Sequence, residues 1–85
     1  MPFKSKLTVS TPVILKEVLR AAREEKGISQ EELANLACLR KWHIKEIEES
    51  DSHHTFYSPA IKLQAVKRIG SLLGLDHSQF LVSQI

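Results

Sequence analysis

The stretch SQEELANLACLRKWHIKEIEES, residues 29–50, predicts two short helices joined by a tight turn. Ser29 stands where a helix N-cap is expected, and Glu32, three residues later, completes a capping box. Apolar residues recur at helical spacing: Leu33, Ala34 and Leu36 in the first helix, then Leu39, Ile44 and Ile47 in the second. The two helices therefore share one apolar seam, and the rest of the chain is expected to hold the second helix outward.

A single cysteine lies in the predicted turn of this pair. We expect helices over residues 30–37 and 40–49, an arrangement typical of the helix-turn-helix unit. Most such units have a glycine between their helices, where this chain has Cys38. A small residue tolerates that position at modest strain, and no second cysteine supports a redox or metal site. We therefore interpret Cys38 as a turn residue.

The N-terminal part predicts a flexible arm followed by a helix. Residues 1–10 are polar and lack helical periodicity, so we expect the arm there. Thr11 and Pro12 fit the N-cap and first position of a helix over residues 12–26, and Gly27 supplies its left-handed C-cap residue. The expected core stripe of this helix is Ile14, Leu15, Val18, Leu19 and Ala22.

Two more helices are predicted after a polar loop over residues 50–58. The signals are Ser58 and Pro59 at the start of the fourth helix, Gly74 at its end, and a capping box, Asp76 and Gln79, before a last short helix through Phe80, Leu81 and Val82. The expected core residues of the fourth helix are Leu63, Val66, Ile69, Leu72 and Leu73. Residues 11–85 are therefore expected to form one all-α domain, a compact five-helix bundle that contains the helix-turn-helix.

Composition limits the classes of function. With 85 residues, 42% of them hydrophobic and 26% charged, the chain has the size and balance of one soluble domain. The lone cysteine suits a reducing cytoplasm, and no apolar run approaches the ~20 residues of a membrane span. A net charge of +2 permits nucleic acid as a partner without requiring it. No nucleophile–base pair, phosphate-binding glycine loop or metal-ligand pattern is visible, so we expect neither an enzyme nor a bound metal or cofactor.

Several motifs recur together in known families. They are Arg23 in AAREEKG, the runs Ile28-Ser29-Gln30 and Leu33-Ala34, and Ile44, Ile47 and Glu48 in IEES. In this order they resemble the Xre, or Cro/C1-type, helix-turn-helix family, which implies a lambda-repressor-like DNA-binding domain. Within it, LRAAREE, EIEESD, Leu39-Arg40, the LLGLD of residues 72–76 and the long loop ending in a proline are most similar to cytoplasmic domains of the RodZ family. His43, Ile69 and Gly70 depart from the RodZ pattern.

The Xre resemblance implies that the second helix of the pair enters the major groove of double-stranded DNA, as in a transcriptional regulator. The implied contacts are Lys41, Trp42 and Glu46 to base edges, Arg40 and Lys45 near phosphate, and Gln30 to the DNA backbone while it braces the second helix. Two alternatives stay open. In one, the basic residues form an ordinary solvated face. In the other, Trp42 is half buried against the helix over residues 30–37 or against the Phe56–Tyr57 loop.

The same resemblance pairs Arg23 with Glu48. A partly buried arginine–carboxylate pair between the helix over residues 12–26 and the helix over residues 40–49 would lock the orientation of the second of these helices. We therefore expect a structural role for this pair, and not a chemical one.

The RodZ resemblance implies a different partner. It predicts a protein-interaction module that docks an actin-like cytoskeletal filament, MreB, through Phe56 and Tyr57. A phage or plasmid regulator with another partner is a third interpretation. The apolar tail, Phe80, Leu81, Val82 and Ile85, supplies either core packing or a homodimer contact. Among these readings the sequence favours DNA binding, because the outward helix begins with basic residues.

Overall fold

The computed structural model describes residues 12–82, which form five helices and two short strands. In chain order these are β1 (Val13–Ile14), α1 (Lys16–Glu25), α2 (Gln30–Leu36), α3 (Lys41–Glu49), α4 (Pro59–Leu72), α5 (His77–Phe80) and β2 (Leu81–Val82). The fold is all-α in class, as predicted, and α2 and α3 match the expected ranges to within a residue. The predicted arm over residues 1–10, with Thr11 and Ile85, lies outside the described residues.

The predicted N-caps of α2, α4 and α5 are confirmed, but Pro12 does not begin α1, whose N-cap residue is Leu15. The Ser29 hydroxyl accepts a hydrogen bond from the Glu32 backbone N–H at 3.0 Å, and the Glu32 carboxylate accepts one from the Ser29 N–H at 2.9 Å. Ser58 caps α4, and Asp76 forms the expected box at the start of α5. Gly27 follows the C-cap residue of α1 with φ +72°. These caps satisfy backbone groups at helix ends that would otherwise lack partners.

The turn between α2 and α3 has its left-handed residue at Cys38, where most helix-turn-helix units have a glycine. Cys38 has φ +59°, a left-handed value that an L-residue with a side chain adopts at a cost of about 1–2 kcal/mol. The apolar spacing grouped Leu39 with Ile44 and Ile47 of the next helix, but Leu39 precedes α3. It lies in the turn, where its N–H donates to the Ala34 carbonyl at 2.8 Å and its side chain packs against the core.

The predicted start of the first helix is wrong. Val13 and Ile14 pair antiparallel with Val82 and Leu81, in that register, so the helix begins at Lys16 and not at residue 12. The final helix is also shorter than predicted, because it ends at Phe80 and the next two residues form β2. Short strands from opposite ends of the described chain therefore replace the expected helical turns.

Apolar side chains from all five helices, with one residue just after α2 and one just after α4, meet in one core. Its buried members are Leu19, Leu33, Ala34, Ala37, Ile44, Ile47, Ala65, Val66, Ile69, Leu73 and Phe80. Phe80 is fully buried, so it packs in the core and offers no dimer contact. The Phe80 ring lies against Gly70, where a Cβ would come too close to the ring for any real contact. Glycine at position 70 therefore permits α5 to close on α4.

Two predicted core residues point to solvent instead. Leu36 is 60% exposed at the end of α2, and Leu72 is 41% exposed on α4. The buried side of α4 includes Lys62, which no hydrophobic pattern predicts. The buried side of α4 thus keeps the predicted Val66 and Ile69 but adds Lys62, Ala65 and Gly70, while Leu72 is left out of it.

Candidate nucleic-acid interface

The inner face of α3 is anchored in the core. Ile44 and Ile47 are fully buried and occupy one side of the helix. Lys41, Trp42 and Lys45 lie on the other side, and all three are exposed. The helix therefore presents to solvent the basic and aromatic residues that the sequence places near its N-terminus.

A buried ion pair joins α1 to α3. The Arg23 Nε donates to one Glu48 carboxylate oxygen at 2.7 Å, and its Nη2 donates to the other at 3.1 Å. The remaining terminal nitrogen donates to the Ile28 carbonyl at 2.8 Å, on the segment that leads into α2. The Glu48 side chain is only 2% exposed. One guanidinium thus fixes three parts of the domain, and the hydrogen bonds with Glu48 raise the pKa of Arg23 above its ordinary value.

Gln30 braces α2 against the C-terminal end of α3. Its side-chain amide donates to Glu48 at 3.1 Å and to Glu49 at 3.2 Å. The bracing role given to this residue therefore has a direct geometric basis. Contact of Gln30 with a DNA backbone stays a prediction.

Glu46 faces the loop after α3 and not the outward surface. Its carboxylate accepts from the Ser52 hydroxyl at 2.6 Å and from the Thr55 hydroxyl at 2.7 Å. The backbone N–H groups of His54 and Thr55 add bonds at 3.1 and 3.0 Å. Partial burial acts to raise the pKa of Glu46, but the bonds from Ser52 and Thr55 outweigh it and lower that pKa to about 2. Because both carboxylate oxygens are engaged, we leave Glu46 out of the base contacts proposed below.

Lys62 holds the same loop from beneath. Its side chain is buried on α4, and its ammonium donates to the backbone carbonyls of Ser50 and Ser52. Burial lowers the pKa of Lys62, partly offset by the negative charge of Glu46. Nothing in the sequence pattern predicts this role of Lys62, because a lysine in a helix normally indicates the solvated face.

Trp42 lies outside the core. It is 58% exposed, and the Arg40 guanidinium stands over its ring at 5.9 Å from the centroid. The His43 ring, and not Trp42, contacts Phe56, with ring centroids 4.9 Å apart. Packing of Trp42 against the Phe56–Tyr57 loop therefore does not occur, whereas Trp42 shares a notch with Glu31 and Asn35 of α2, so partial burial against that helix stays open.

A shallow notch lies between the end of α2 and the start of α3. It is lined by Glu31 and Asn35 on α2, by Lys41 and Trp42 on α3, and by Cys38 in the turn between them. Sequence reasoning missed Asn35 as a neighbour of this surface. Its spacing from Glu31, one helical turn, is the signal that places both on one face of α2.

A second exposed surface follows the loop onto α4. Phe56 packs partly against the core, whereas Tyr57 is 96% exposed and Ile61 is 42% exposed. Together with Leu39 and Arg68 they line a shallow groove. This groove is separate from the outward face of α3, although His43 borders both regions.

A family model described as a helix-turn-helix domain matches residues 18–80, most of the chain. The chain belongs to this helix-turn-helix domain family. No curated protein matches the chain. In this helix-turn-helix protein the matched segment runs from α1 to α5, so it includes the Arg23–Glu48 pair and the whole of α3. Among residues 12–82 of this helix-turn-helix protein, no helix has the length and apolar character needed to cross a bilayer.

Proposed function

We propose that this helix-turn-helix protein binds double-stranded DNA by placing the N-terminal half of α3 in the major groove, as a cytoplasmic transcriptional regulator. One observation carries the proposal. The basic side chains of α3 face outward, while each of its acidic side chains is held by another part of the domain.

The arrangement of charge on α3 matters because the helix contains as many acids as bases, counting Arg40 at its N-cap. Glu48 is neutralised by Arg23, and Glu49 is held by the Gln30 amide. Glu46 is bound by the loop. A phosphate backbone that approaches the N-terminal half of the helix therefore meets mainly positive charge.

The geometry of the exposed residues fits groove entry. Lys41 and Lys45 are four residues apart and share one face of α3. The helix N-terminus adds partial positive charge to the same end. Lysine donates to guanine in the major groove, and Arg40, in the turn before the helix, is placed for phosphate. The proposed contacts are thus Lys41, Trp42 and Lys45 on the helix, with Arg40 and Gln30 at its borders.

Titration of a labelled mixed-sequence duplex at about 50 and 200 mM salt tests the proposal. We expect micromolar or tighter binding that weakens steeply with salt. Lys41→Gln and Lys45→Gln should each weaken binding and lower the salt slope by about 1 if the lysine contacts phosphate. Lys67→Gln, which removes an exposed charge from α4, should change neither quantity. Absence of binding at about 50 mM salt would overturn the proposal. Two protomers per duplex would support a homodimer on paired half-sites.

The exposed aromatic groove favours a second candidate function. A tyrosine that is 96% exposed beside an exposed isoleucine is an apolar surface of the kind that protein partners cover. With the RodZ resemblance, it supports docking of the actin-like filament MreB through Phe56 and Tyr57. Co-sedimentation with MreB filaments tests this candidate. We expect Tyr57→Ala to abolish co-sedimentation and Lys67→Gln to leave it intact, and a chain that never sediments with filaments would exclude it.

A further inference from the structure

Trp42 combines an exposed apolar ring with a cationic surround. It is the one tryptophan of the sequence, it stands on the first turn of α3, and 58% of it is exposed. Arg40 lies against its ring, while Lys41 and Lys45 are its neighbours on the same exposed side. Tryptophan and arginine are the residue types most enriched at the energetically dominant contacts of binding surfaces, so the combination of this ring with these cations points to a binding surface.

The Trp42 ring has neighbours that restrict its motion before any partner binds. The Arg40 backbone N–H donates to the His43 Nδ1 at 3.0 Å, which closes the first turn of α3. The His43 ring in turn packs between Trp42, at 5.9 Å, and Phe56, at 4.9 Å. A side chain held in this way loses little conformational entropy on binding, which is the property expected of a contact that determines specificity.

The charges around Trp42 identify the kind of partner. Three cations beside one ring favour a polyanion, and the ring itself requires an apolar group within that polyanion. The major groove of DNA presents one apolar group, the C5-methyl of thymine, which apolar and aromatic side chains contact directly. The three cations and the apolar ring are therefore both satisfied by a methylated pyrimidine in the major groove of DNA.

We propose that Trp42 is a specificity-determining residue that packs against 5-methylpyrimidines, thymine above all, at the major-groove edge. This inference rests on the DNA binding proposed above and adds to it the identity of the group that is read. The notch beside Trp42 is also lined by Asn35 and Glu31 of α2. Asparagine is the residue that pairs with adenine, the partner of thymine, in the same groove.

Replacement of thymine by deoxyuridine provides a direct test, because it removes the methyl and keeps the hydrogen-bonding pattern. Alternating A·T and A·U duplexes of equal length are titrated with wild type, Trp42→Ala and Leu72→Ala. Burial of a methyl contributes about 0.8 kcal/mol, so wild type should prefer the A·T duplex by roughly fourfold for each methyl contacted. Trp42→Ala should bind both duplexes equally. Leu72→Ala, which truncates an exposed apolar residue on α4, should keep the wild-type preference.

The outcomes separate this inference from the function on which it rests. If wild type binds both duplexes equally, DNA binding stands and the role of Trp42 is overturned. If Trp42→Ala keeps the full preference for A·T, the discrimination comes from duplex shape, and the inference is again overturned. If wild type binds the mixed-sequence duplex but neither of these two, DNA binding stands and the reading of thymine by Trp42 is overturned. If it binds none of the three duplexes, the proposed function itself fails. A matched pair with cytosine and 5-methylcytosine adds the methyl instead, and wild type should favour the methylated duplex.

Discussion

Glu46 and Glu48 stand two residues apart on α3 and are held in opposite ways. Glu48 is buried and bound by a cation, Arg23, together with the Gln30 amide. Glu46 is only partly buried, and its hydrogen bonds come from neutral donors of the loop, with Ser52 and Thr55 contributing most. One carboxylate attaches the helix to the body of the domain, whereas the other attaches a loop to the helix.

The difference shows how one helix serves two structural tasks and still presents a free surface. Both attachments engage the C-terminal half of α3, because Glu46 and Glu48 lie there. The first turn, with Lys41 and Trp42, takes part in neither. A buried charge needs an opposite charge, while a half-exposed carboxylate is satisfied by neutral donors and water. The two sites should therefore respond very differently to mutation.

Removal of the cation at the buried site is expected to have the largest effect. Arg23→Ala leaves the Glu48 carboxylate, 2% exposed, without its charge partner and should destabilise the fold by about 3–5 kcal/mol. Urea denaturation followed by circular dichroism measures the loss. Normal stability in this variant would show that the ion pair does not fix the orientation of α3.

A matched control for Arg23→Ala lies one turn earlier on the same helix. Arg20 pairs with Glu24 at 3.3 Å, but both side chains are more than half exposed. Arg20→Ala should therefore cost less than about 1 kcal/mol, the usual range for surface pairs. Equal losses in the two variants would mean that helix propensity, and not burial of the pair, dominates.

Loss of the Glu46 carboxylate, which holds the loop after α3, should lower stability less than loss of Arg23 and should affect mainly that loop. Glu46→Gln keeps the shape of the side chain but brings an N–H₂ group toward donors that need an acceptor. We expect a loss of about 1–2 kcal/mol, since the groups released can reach water. Hydrogen exchange at the backbone amides of His54 and Thr55 should accelerate, while exchange in the core of α3 should not. A uniform acceleration through the domain would contradict the separation of the two sites.

The smallest expected effect is the pH dependence of folding stability that the Glu46 carboxylate causes. The pKa of Glu46 is about 2 in the fold, against an ordinary value of 4.5, so the folded state holds this carboxylate ionised. Its contribution to stability is present above about pH 4.5 and is lost as pH falls toward 2. Wild type should therefore lose more stability between pH 5 and 2 than Glu46→Gln does. Parallel stability curves for the two proteins would show that Glu46 contributes nothing in this window.

The elements that were predicted correctly from the sequence are those determined by residues close to them along the chain. The capping box of Ser29 and Glu32 and the cap at Ser58 satisfy backbone groups within three residues. The left-handed turn at Gly27 follows from the glycine placed after α1. Such contacts depend on local geometry alone, so a sequence pattern is enough to find them.

The elements that the sequence did not predict depend on distant partners. The pattern of Val13 and Ile14 fits a helix equally well, and only the presence of Leu81 and Val82 beside them makes a ribbon. Leu36 fits the apolar seam by spacing, yet no core element covers it. Periodicity shows that a face is apolar but not whether another element reaches it.

The same division holds for the candidate site. The sequence alone defined a helix-turn-helix with Lys41, Trp42 and Lys45 at the start of its outward helix, because caps and spacing are local properties. Only the tertiary structure turned Glu46 toward the loop and buried Lys62 beneath it. The direction in which a charged side chain points is decided by the donors and acceptors that folding brings within reach, and those come from other parts of the chain.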